Sequence, residues 1–185
     1  ANLTLDDLMF RVRTVIKRGQ EQVMDQLQRN GVTLVNGWAH FIDAHTLKTE
    51  SGQEVRGDHI LIACGTRSAL NPEIPYDGRK IMVAEDILRG DNKEIPRSMI
   101  VVGAGVIGLE YASMFSALGV RVTIIEQRPS MLEFVDREIT EALSYHMRRR
   151  DAIFRLSERV TTVRMQKNGL VQASLESGKK VTGDT

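Results

Sequence analysis

The chain has little of several residue types that mark other classes of protein. Its single cysteine, Cys64, excludes an internal disulfide and gives no sign of an oxidising compartment. It has no signal-peptide pattern and no apolar run near the roughly 20 residues that a membrane-spanning helix requires. A net charge of +1 gives no basis for attraction to nucleic acid or to an anionic membrane, and the 4 histidines lack the spacing of metal ligands. We therefore expect a soluble, cytoplasmic protein with no metal site and with neither nucleic acid nor membrane as a partner.

Proline is also scarce, and two of the 4 prolines, Pro72 and Pro75, lie in the segment 71–78. A short cluster of this kind is typical of a connection between domains. Charged residues make up 26% and hydrophobic residues 42%, as in an ordinary globular protein. We predict two domains, at 1–72 and 73–185.

The spacing of apolar residues predicts an α/β protein. Helical spacing extends over 4–30, and alternation or short apolar runs then predict strands at 32–35, 38–42, 46–49, 53–56, 59–64 and 81–84, with a short helix at 85–88. Strands and helices alternate in the next part, with strands at 99–102, 120–126 and 152–156 and helices at 106–118 and 136–150. Three further strands, at 159–165, 170–175 and 179–182, read as an antiparallel meander. The order indicates a Rossmann-like domain with a meander attached.

The most informative pattern is a glycine motif after the apolar strand 99–102. Gly103 permits a tight turn, Gly105 lets a pyrophosphate approach the main chain, and Gly108 lets the next helix pack closely on the sheet. The amides at that helix N-terminus, with a dipole equivalent to roughly half a positive charge, favour a bound phosphate. We expect the nucleotide against Gly103, Ala104, Gly105, Val106, Ile107 and Gly108.

An acidic residue follows the glycines at the spacing of a dinucleotide site. Glu126 ends the next predicted strand, about 20 residues further on, where a carboxylate binds the adenosine ribose 2′-OH and favours NAD. Arg128, two residues later, is placed to approach the 2′-phosphate of NADP instead. The alternative for both residues is a solvated charge in a loop.

Three segments carry a resemblance to a known family. They are 36–43, 60–67, which ends its strand in Ala63-Cys64-Gly65, and 103–110. Together they resemble the two-dinucleotide-binding flavoprotein disulfide reductases, which are FAD-dependent pyridine nucleotide-disulfide oxidoreductases. The resemblance implies a nicotinamide-nucleotide domain joined to a partial FAD-binding domain, with Ala39, Cys64 and Gly65 near FAD.

Within that family, the segments 108–115, 131–136 and 143–146, together with Cys64, look like the soluble, Si-specific pyridine nucleotide transhydrogenases. The resemblance implies an enzyme in which NADPH reduces FAD and NAD then collects the hydride, so the cofactors are FAD, NAD and NADP. One alternative is dihydrolipoamide dehydrogenase or a related disulfide reductase. An alternative of another class is a non-catalytic NAD-binding module that senses redox state.

The resemblance also assigns roles to single residues, each with a plainer alternative. It places Glu110 beside the flavin in a supporting catalytic role, although an exposed glutamate at a helix start is the simpler description. It places Val106 at a gate over the flavin and Val160 in the adenine pocket, although both suit ordinary packing. Cys64 is a thiol at the end of a predicted buried strand, where inert packing is the simplest expectation.

Several parts of the family pattern are absent from the 185 residues. They are the first flavin glycine motif, the redox-active cysteine pair, the lysine partner of Glu110, and the dimerisation domain with its catalytic histidine. We therefore expect the chain to be a piece of a larger enzyme and to be inactive alone. We expect the full-length protein to form a homodimer through a domain absent from these 185 residues.

Overall fold

The computed structural model describes residues 5–89 and 95–185. These residues form the helices α1 (Leu5–Arg29), α2 (Ala84–Arg89), α3 (Val106–Ala117) and α4 (Arg137–Arg148). The strands are β1 (Ala39–Asp43), β2 (Thr46–Thr49), β3 (Glu54–Arg56), β4 (Ser98–Val102), β5 (Arg121–Ile125), β6 (Ile153–Arg155), β7 (Val160–Met165), β8 (Val171–Leu175) and β9 (Lys180–Gly183). Among the described helices, none has the length and apolarity needed to span a membrane.

The described residues divide into two compact units, Arg11–Arg67 and Ser68–Thr185, and the second also takes in the first turns of α1, as far as Phe10. The unit Arg11–Arg67 holds most of α1 and an antiparallel sheet in the order β1-β2-β3. Its described apolar side chains are all at least partly exposed, and its one buried side chain in that range is Thr49. The Thr49 hydroxyl accepts a hydrogen bond from the Gln53 amide at 3.1 Å and so closes the turn between β2 and β3.

The unit Ser68–Thr185 is built around a parallel sheet in the order β4-β5-β6. Strand β5 lies in the middle and is buried on both faces, as parallel strands covered by other elements are. Ile124 packs with Leu109 and Phe115 of α3 on one face. Ile125, the next residue, packs with Ala173 of the antiparallel sheet β7-β8-β9 on the other.

The end of β9 is tied to the free edge of β4. One oxygen of the Asp184 carboxylate accepts hydrogen bonds from the amides of Arg97 and Ser98, at 3.0 and 2.9 Å, and from the Ser98 hydroxyl at 3.0 Å. The Ile100 amide donates to the carbonyl of Thr185 at 2.9 Å. These contacts join segments that are more than 80 residues apart in the sequence.

Helices α1, α3 and α4 end in the same way. In each, a residue in the left-handed region follows the helix, and the next amide donates back to a carbonyl five residues earlier, which is the Schellman arrangement. The left-handed residue is Gly31 (φ 67°), Gly119 (φ 86°) or Asp151 (φ 62°). Asp151 is the exception, since this position usually holds glycine.

The predictions of three strands are wrong. Two of the segments have no described strand to pair with, and the amides that lead into the third donate hydrogen bonds to a side chain. Segments 32–35 and 59–64 are irregular, and no described strand pairs with them; Leu61 is 90% exposed. The segment 81–84 forms no strand either, since 81–83 are irregular and Ala84 begins α2. The Asp77 side chain accepts hydrogen bonds from the amides that lead into this segment, including that of Ile81 at 2.9 Å. The expected inert packing of Cys64 is wrong as well, because its side chain is exposed.

Candidate functional site

The glycine motif forms a turn between the carboxyl end of β4 and the start of α3. Gly103 has a φ of 104°, and its amide donates to the Ile125 carbonyl at 2.8 Å, so the turn is held against the end of β5. A Cβ at Gly108 would collide with the Gly103 carbonyl oxygen and would lie 3.4 Å from the Val101 side chain. Only glycine therefore allows α3 to pack this closely on β4.

The N-terminus of α3 is open to an anion. It has no acidic residue in its first turn and no side-chain cap, and the amides of Val106, Ile107 and Gly108 donate to no acceptor among the described residues. A Cβ added at Gly105 would meet no atom within 4 Å. Unpaired amides at the positive end of a helix, beside an uncovered main chain, fit a pyrophosphate group.

Glu126 joins this turn to the end of β5. Its side chain is 4% exposed, and its Oε2 accepts a hydrogen bond from the Ala104 amide at 2.8 Å. Its main chain is fixed by the Glu126 amide, which donates to Arg155, and by the Glu158 amide, which donates to the Glu126 carbonyl, at 2.9 and 3.0 Å. Glu126 is therefore a buried side chain bound to the glycine turn and not a solvated loop charge.

Arg128 pairs with the same carboxylate through both its backbone and its side chain. The Arg128 amide and Nε donate to Oε1 of Glu126, each at 3.0 Å, and Nη2 donates to Oε2 at 3.2 Å. The side-chain hydrogen bonds from Arg128 outweigh burial, which acts in the opposite direction. Together with the amides of Arg128 and Ala104, they lower the pKa of Glu126 from 4.5 to about 2.

A cavity of about 690 Å³ opens beside the glycine turn within the unit Ser68–Thr185. Its walls are mostly apolar and come from β4, the start of α3 and the segment before α2, with Ile81, Val101, Val106 and Tyr111 among them. Burial raises the pKa of the Tyr111 hydroxyl, and the neighbouring Glu110 carboxylate adds to that effect. The cavity therefore offers an apolar surface next to the candidate phosphate position.

Two predicted residues lie apart from this cluster. Glu110 is exposed on α3, one turn beyond the glycine turn. Val160 is partly buried at the start of β7 and packs in two apolar clusters, one with Ile81 and one with Ile125. Among the described residues, no group of histidine, cysteine and acidic side chains is placed to hold a metal ion.

The residues expected near FAD lie in the unit Arg11–Arg67. Ala39 is the first residue of β1 and pairs with Thr49 of β2, so β1 is an edge strand of its sheet. Cys64 and Gly65 are both exposed in the irregular segment after β3, and Gly65 has a φ of 69°.

Sequence reasoning missed the segment that holds the Glu126 loop in place. The Ser157 amide donates to the Arg128 carbonyl at 3.0 Å, and Ser157 itself has a φ of 55°. The next residue, Glu158, is buried and accepts hydrogen bonds from Ser177 and Lys179 at 2.7 and 3.2 Å. No spacing in the sequence indicates this segment, because its contacts with the loop are made by main-chain groups.

Relatives of known name cover almost the whole chain. It is 44% identical to the soluble pyridine nucleotide transhydrogenase of Mycobacterium bovis over 188 aligned positions, which cover 99% of this chain and 40% of the relative. It is 40% identical to the protein of the same name from Marinobacter nauticus, over 84% of this chain and 34% of the relative. The chain thus spans about 40% of the length of the first of these relatives.

Solved structures share the fold. LpdA from Mycobacterium tuberculosis matches with a TM-score of 0.87 at 24% identity, over 100% of this chain and 42% of that one. The HOCl-induced flavoprotein disulfide reductase RclA from Escherichia coli matches with a TM-score of 0.79 at 24% identity, over 96% and 40%. The family model described as pyridine nucleotide-disulphide oxidoreductase matches residues 3–185. With its parallel sheet, glycine turn and buried strand-end glutamate, the chain belongs to the pyridine nucleotide-disulphide oxidoreductase family.

Proposed function

We propose that this chain is the nucleotide-binding part of an FAD-dependent oxidoreductase that passes hydride from NADPH to NAD. The observation that carries the proposal is the glycine turn at the start of α3, joined to Glu126 through the Ala104 amide. Such a turn binds a dinucleotide. The similarity to relatives named soluble pyridine nucleotide transhydrogenase supports hydride transfer between two such nucleotides.

Each part of the nicotinamide nucleotide has a group here that suits it. The amides of Val106 and Ile107 bind the pyrophosphate, because they point out of a helix N-terminus that holds no competing carboxylate. The lack of a side chain at Gly105 lets the phosphates reach the main chain. Glu126 and Arg128 meet the adenosine ribose, and the pair accepts NAD as well as NADP.

The flavin adds the redox chemistry. When bound, FAD accepts a hydride from one nicotinamide nucleotide and gives it to the next. In this proposal, residues 1–72 belong to the FAD-binding domain, with Ala39, Cys64 and Gly65 near the cofactor, and residues 73–185 to the NAD(P)-binding domain. Glu110 and Val106 lie on the nicotinamide side of α3, Val160 lines the adenine pocket, and the full-length protein acts in the cytoplasm as a homodimer.

The test is hydride transfer by the full-length protein. We expect purified, flavin-loaded protein to oxidise NADPH in the presence of thio-NAD, an analogue whose reduced form absorbs at a longer wavelength than NADPH. Transfer should need both nucleotides and stop when the flavin is removed. Reduction of lipoamide without transfer to thio-NAD would assign the protein to the disulfide reductases instead, and nucleotide binding without flavin would favour a sensing module.

A further inference from the structure

We propose that the Arg128 side chain selects between the two nucleotides by competing with the ribose 2′-OH for the Glu126 carboxylate. The proposal rests on the proposed function, since it concerns the adenosine ribose of the same site. In this arrangement the guanidinium lies on Glu126 before NAD binds, is displaced when NAD binds, and moves to the 2′-phosphate when NADP binds.

The first step of the argument is that the Glu126 carboxylate is saturated. A carboxylate has about four acceptor positions, two on each oxygen. Here Oε1 accepts from the Arg128 amide and Nε, and Oε2 accepts from the Ala104 amide and Arg128 Nη2. A ribose hydroxyl that donates to this carboxylate has to replace one of these donors.

The second step is that the donors differ in freedom. The amides of Ala104 and Arg128 belong to the main chain of the glycine turn and of the loop after β5, which is held by Ser157 through the Arg128 carbonyl. The guanidinium, in contrast, sits at the end of a flexible side chain that is 43% exposed. The guanidinium is therefore the donor that gives way to a ligand.

The third step is that the two ribose forms act on the guanidinium in opposite ways. The 2′-OH of NAD needs the acceptor positions that Nε and Nη2 occupy, so Arg128 opposes its binding. The 2′-phosphate of NADP is an acceptor, and a guanidinium binds phosphate through paired hydrogen bonds. When the Arg128 guanidinium binds the 2′-phosphate, the Glu126 carboxylate still accepts hydrogen bonds from the amides of Ala104 and Arg128.

The experiment measures binding of ADP-ribose and 2′-phospho-ADP-ribose to the full-length, flavin-loaded protein by calorimetry. These probes carry the 2′-OH or the 2′-phosphate but no nicotinamide, so the result does not depend on hydride transfer. In Arg128→Gln, we expect ADP-ribose to bind about two- to fivefold more tightly, because the half-exposed guanidinium no longer competes for the Glu126 carboxylate. We expect 2′-phospho-ADP-ribose to bind about ten- to a hundredfold more weakly, because a charge-assisted contact is lost.

Arg121→Gln is the matched control, because Arg121 is an exposed arginine at the opposite end of β5. This substitution should change the affinity for neither probe. Arg128→Lys keeps the charge but lacks the paired donors, so it should bind ADP-ribose more tightly than the wild type and keep most of its affinity for the phosphorylated probe. Circular dichroism and flavin absorbance check that each variant folds. If Arg128→Gln fails to fold, the affinities of Arg128→Lys for the two probes test the inference instead.

The outcomes separate this inference from the proposed function. If the wild type binds both probes but Arg128→Gln and Arg128→Lys weaken both, Arg128 only supports the fold of the loop and the inference is wrong. If the variants weaken only the phosphorylated probe, Arg128 binds phosphate without competing at Glu126, and the inference is again wrong. If the wild type binds neither probe, the proposed nucleotide site itself is wrong.

Discussion

At the scale of single residues, the buried carboxylate of Glu126 makes the stability of the protein depend on pH. Its pKa is about 2 in the folded protein, against an ordinary value of 4.5. A lowered folded-state pKa stabilises the fold at pH values above 4.5, and this contribution disappears as the pH falls towards 2. The full contribution is at most about 3 kcal/mol, since lowering a pKa by one corresponds to about 1.4 kcal/mol.

We expect Glu126→Gln to lower the free energy of unfolding at pH 7 and to differ much less from the wild type at pH 3. Urea unfolding at both pH values measures this. Glu141→Gln is the control, because the Glu141 side chain pairs with Arg137 on the exposed face of α4, and losing this pair should cost about 0.5 kcal/mol or less. A deficit in Glu126→Gln that stays constant with pH would contradict the assignment.

Two glycines of the same turn serve different purposes, and alanine separates them. At Gly108 an added Cβ collides with the Gly103 carbonyl, so Gly108→Ala should lose about 1–3 kcal/mol of stability. At Gly105 the added Cβ meets nothing within 4 Å and φ is −76°, so Gly105→Ala should fold with stability within about 0.5 kcal/mol of the wild type. Thermal unfolding of both variants measures the difference.

Nucleotide binding should weaken in Gly105→Ala, since the added methyl group occupies the proposed approach of the pyrophosphate. We expect Gly105→Ala to bind ADP-ribose at least about tenfold more weakly while it stays folded. Unchanged binding in Gly105→Ala would place the pyrophosphate elsewhere.

The sequence alone predicted the residues of the turn but not how they contact each other. The spacing of Gly103, Gly105 and Gly108 after an apolar strand is a local pattern, and it correctly predicted the turn between β4 and α3. The hydrogen bond from the Ala104 amide to Glu126 joins residues 22 apart, and it depends on β4 and β5 lying side by side in register. Such a contact follows from the sheet, so no local pattern shows it.

At the scale of helices and strands, patterns predicted an element well where its hydrogen bonds are local, as in a helix, or where its strand partners are among the described residues. Helix α1 was predicted at 4–30 and is described at Leu5–Arg29, and the meander strands agree within a residue or two at each end. The segment 59–64 has a similar apolar composition but forms no strand, since no described strand pairs with it. Strand propensity expresses packing against neighbours, so it fails where neighbours are lacking.

The helix ends allow a prediction at this scale. Asp151 adopts the left-handed conformation after α4 with φ 62°, and its carboxylate lies at the negative end of the helix dipole. Asp151→Gly should raise the free energy of unfolding by about 0.5–1 kcal/mol, because glycine removes the backbone strain at a smaller cost in chain entropy. Gly119→Asp, at the equivalent position after α3, is the matched variant and should lower it by a similar amount. Thermal unfolding of both variants measures these changes in stability. If Asp151→Gly and Gly119→Asp changed the stability in the same direction by the same amount, the argument would be wrong.

At the scale of the whole molecule, the buried apolar side chains are distributed unequally between the two units. Those described between Ser68 and Thr185 form three clusters, two of which include residues of β5, whereas the described part of Arg11–Arg67 buries no apolar side chain. Regions with few buried apolar contacts open at low free energy. We expect amides of β1 and β2 to exchange with deuterium at least about a hundredfold faster than amides of β5 in the 185-residue chain.

Mass spectrometry of peptides from the two units measures this exchange, with the strands of the meander β7-β8-β9 as an internal reference inside the better-packed unit. Equal protection of β1, β2 and β5 would show that the sheet β1-β2-β3 gains stability from contacts that burial does not reveal.

The Asp184 carboxylate at the edge of β4 has a kinetic consequence. It accepts hydrogen bonds from Arg97 and Ser98, so forming these contacts closes a loop of more than 80 residues. The entropy cost of closing a loop grows with its length, whereas the turns of the meander between β7 and β9 close locally. We infer that the meander forms early in folding and that the hydrogen bonds between Asp184 and the edge of β4 form late. Asp184→Asn should therefore speed unfolding while leaving the refolding rate nearly unchanged.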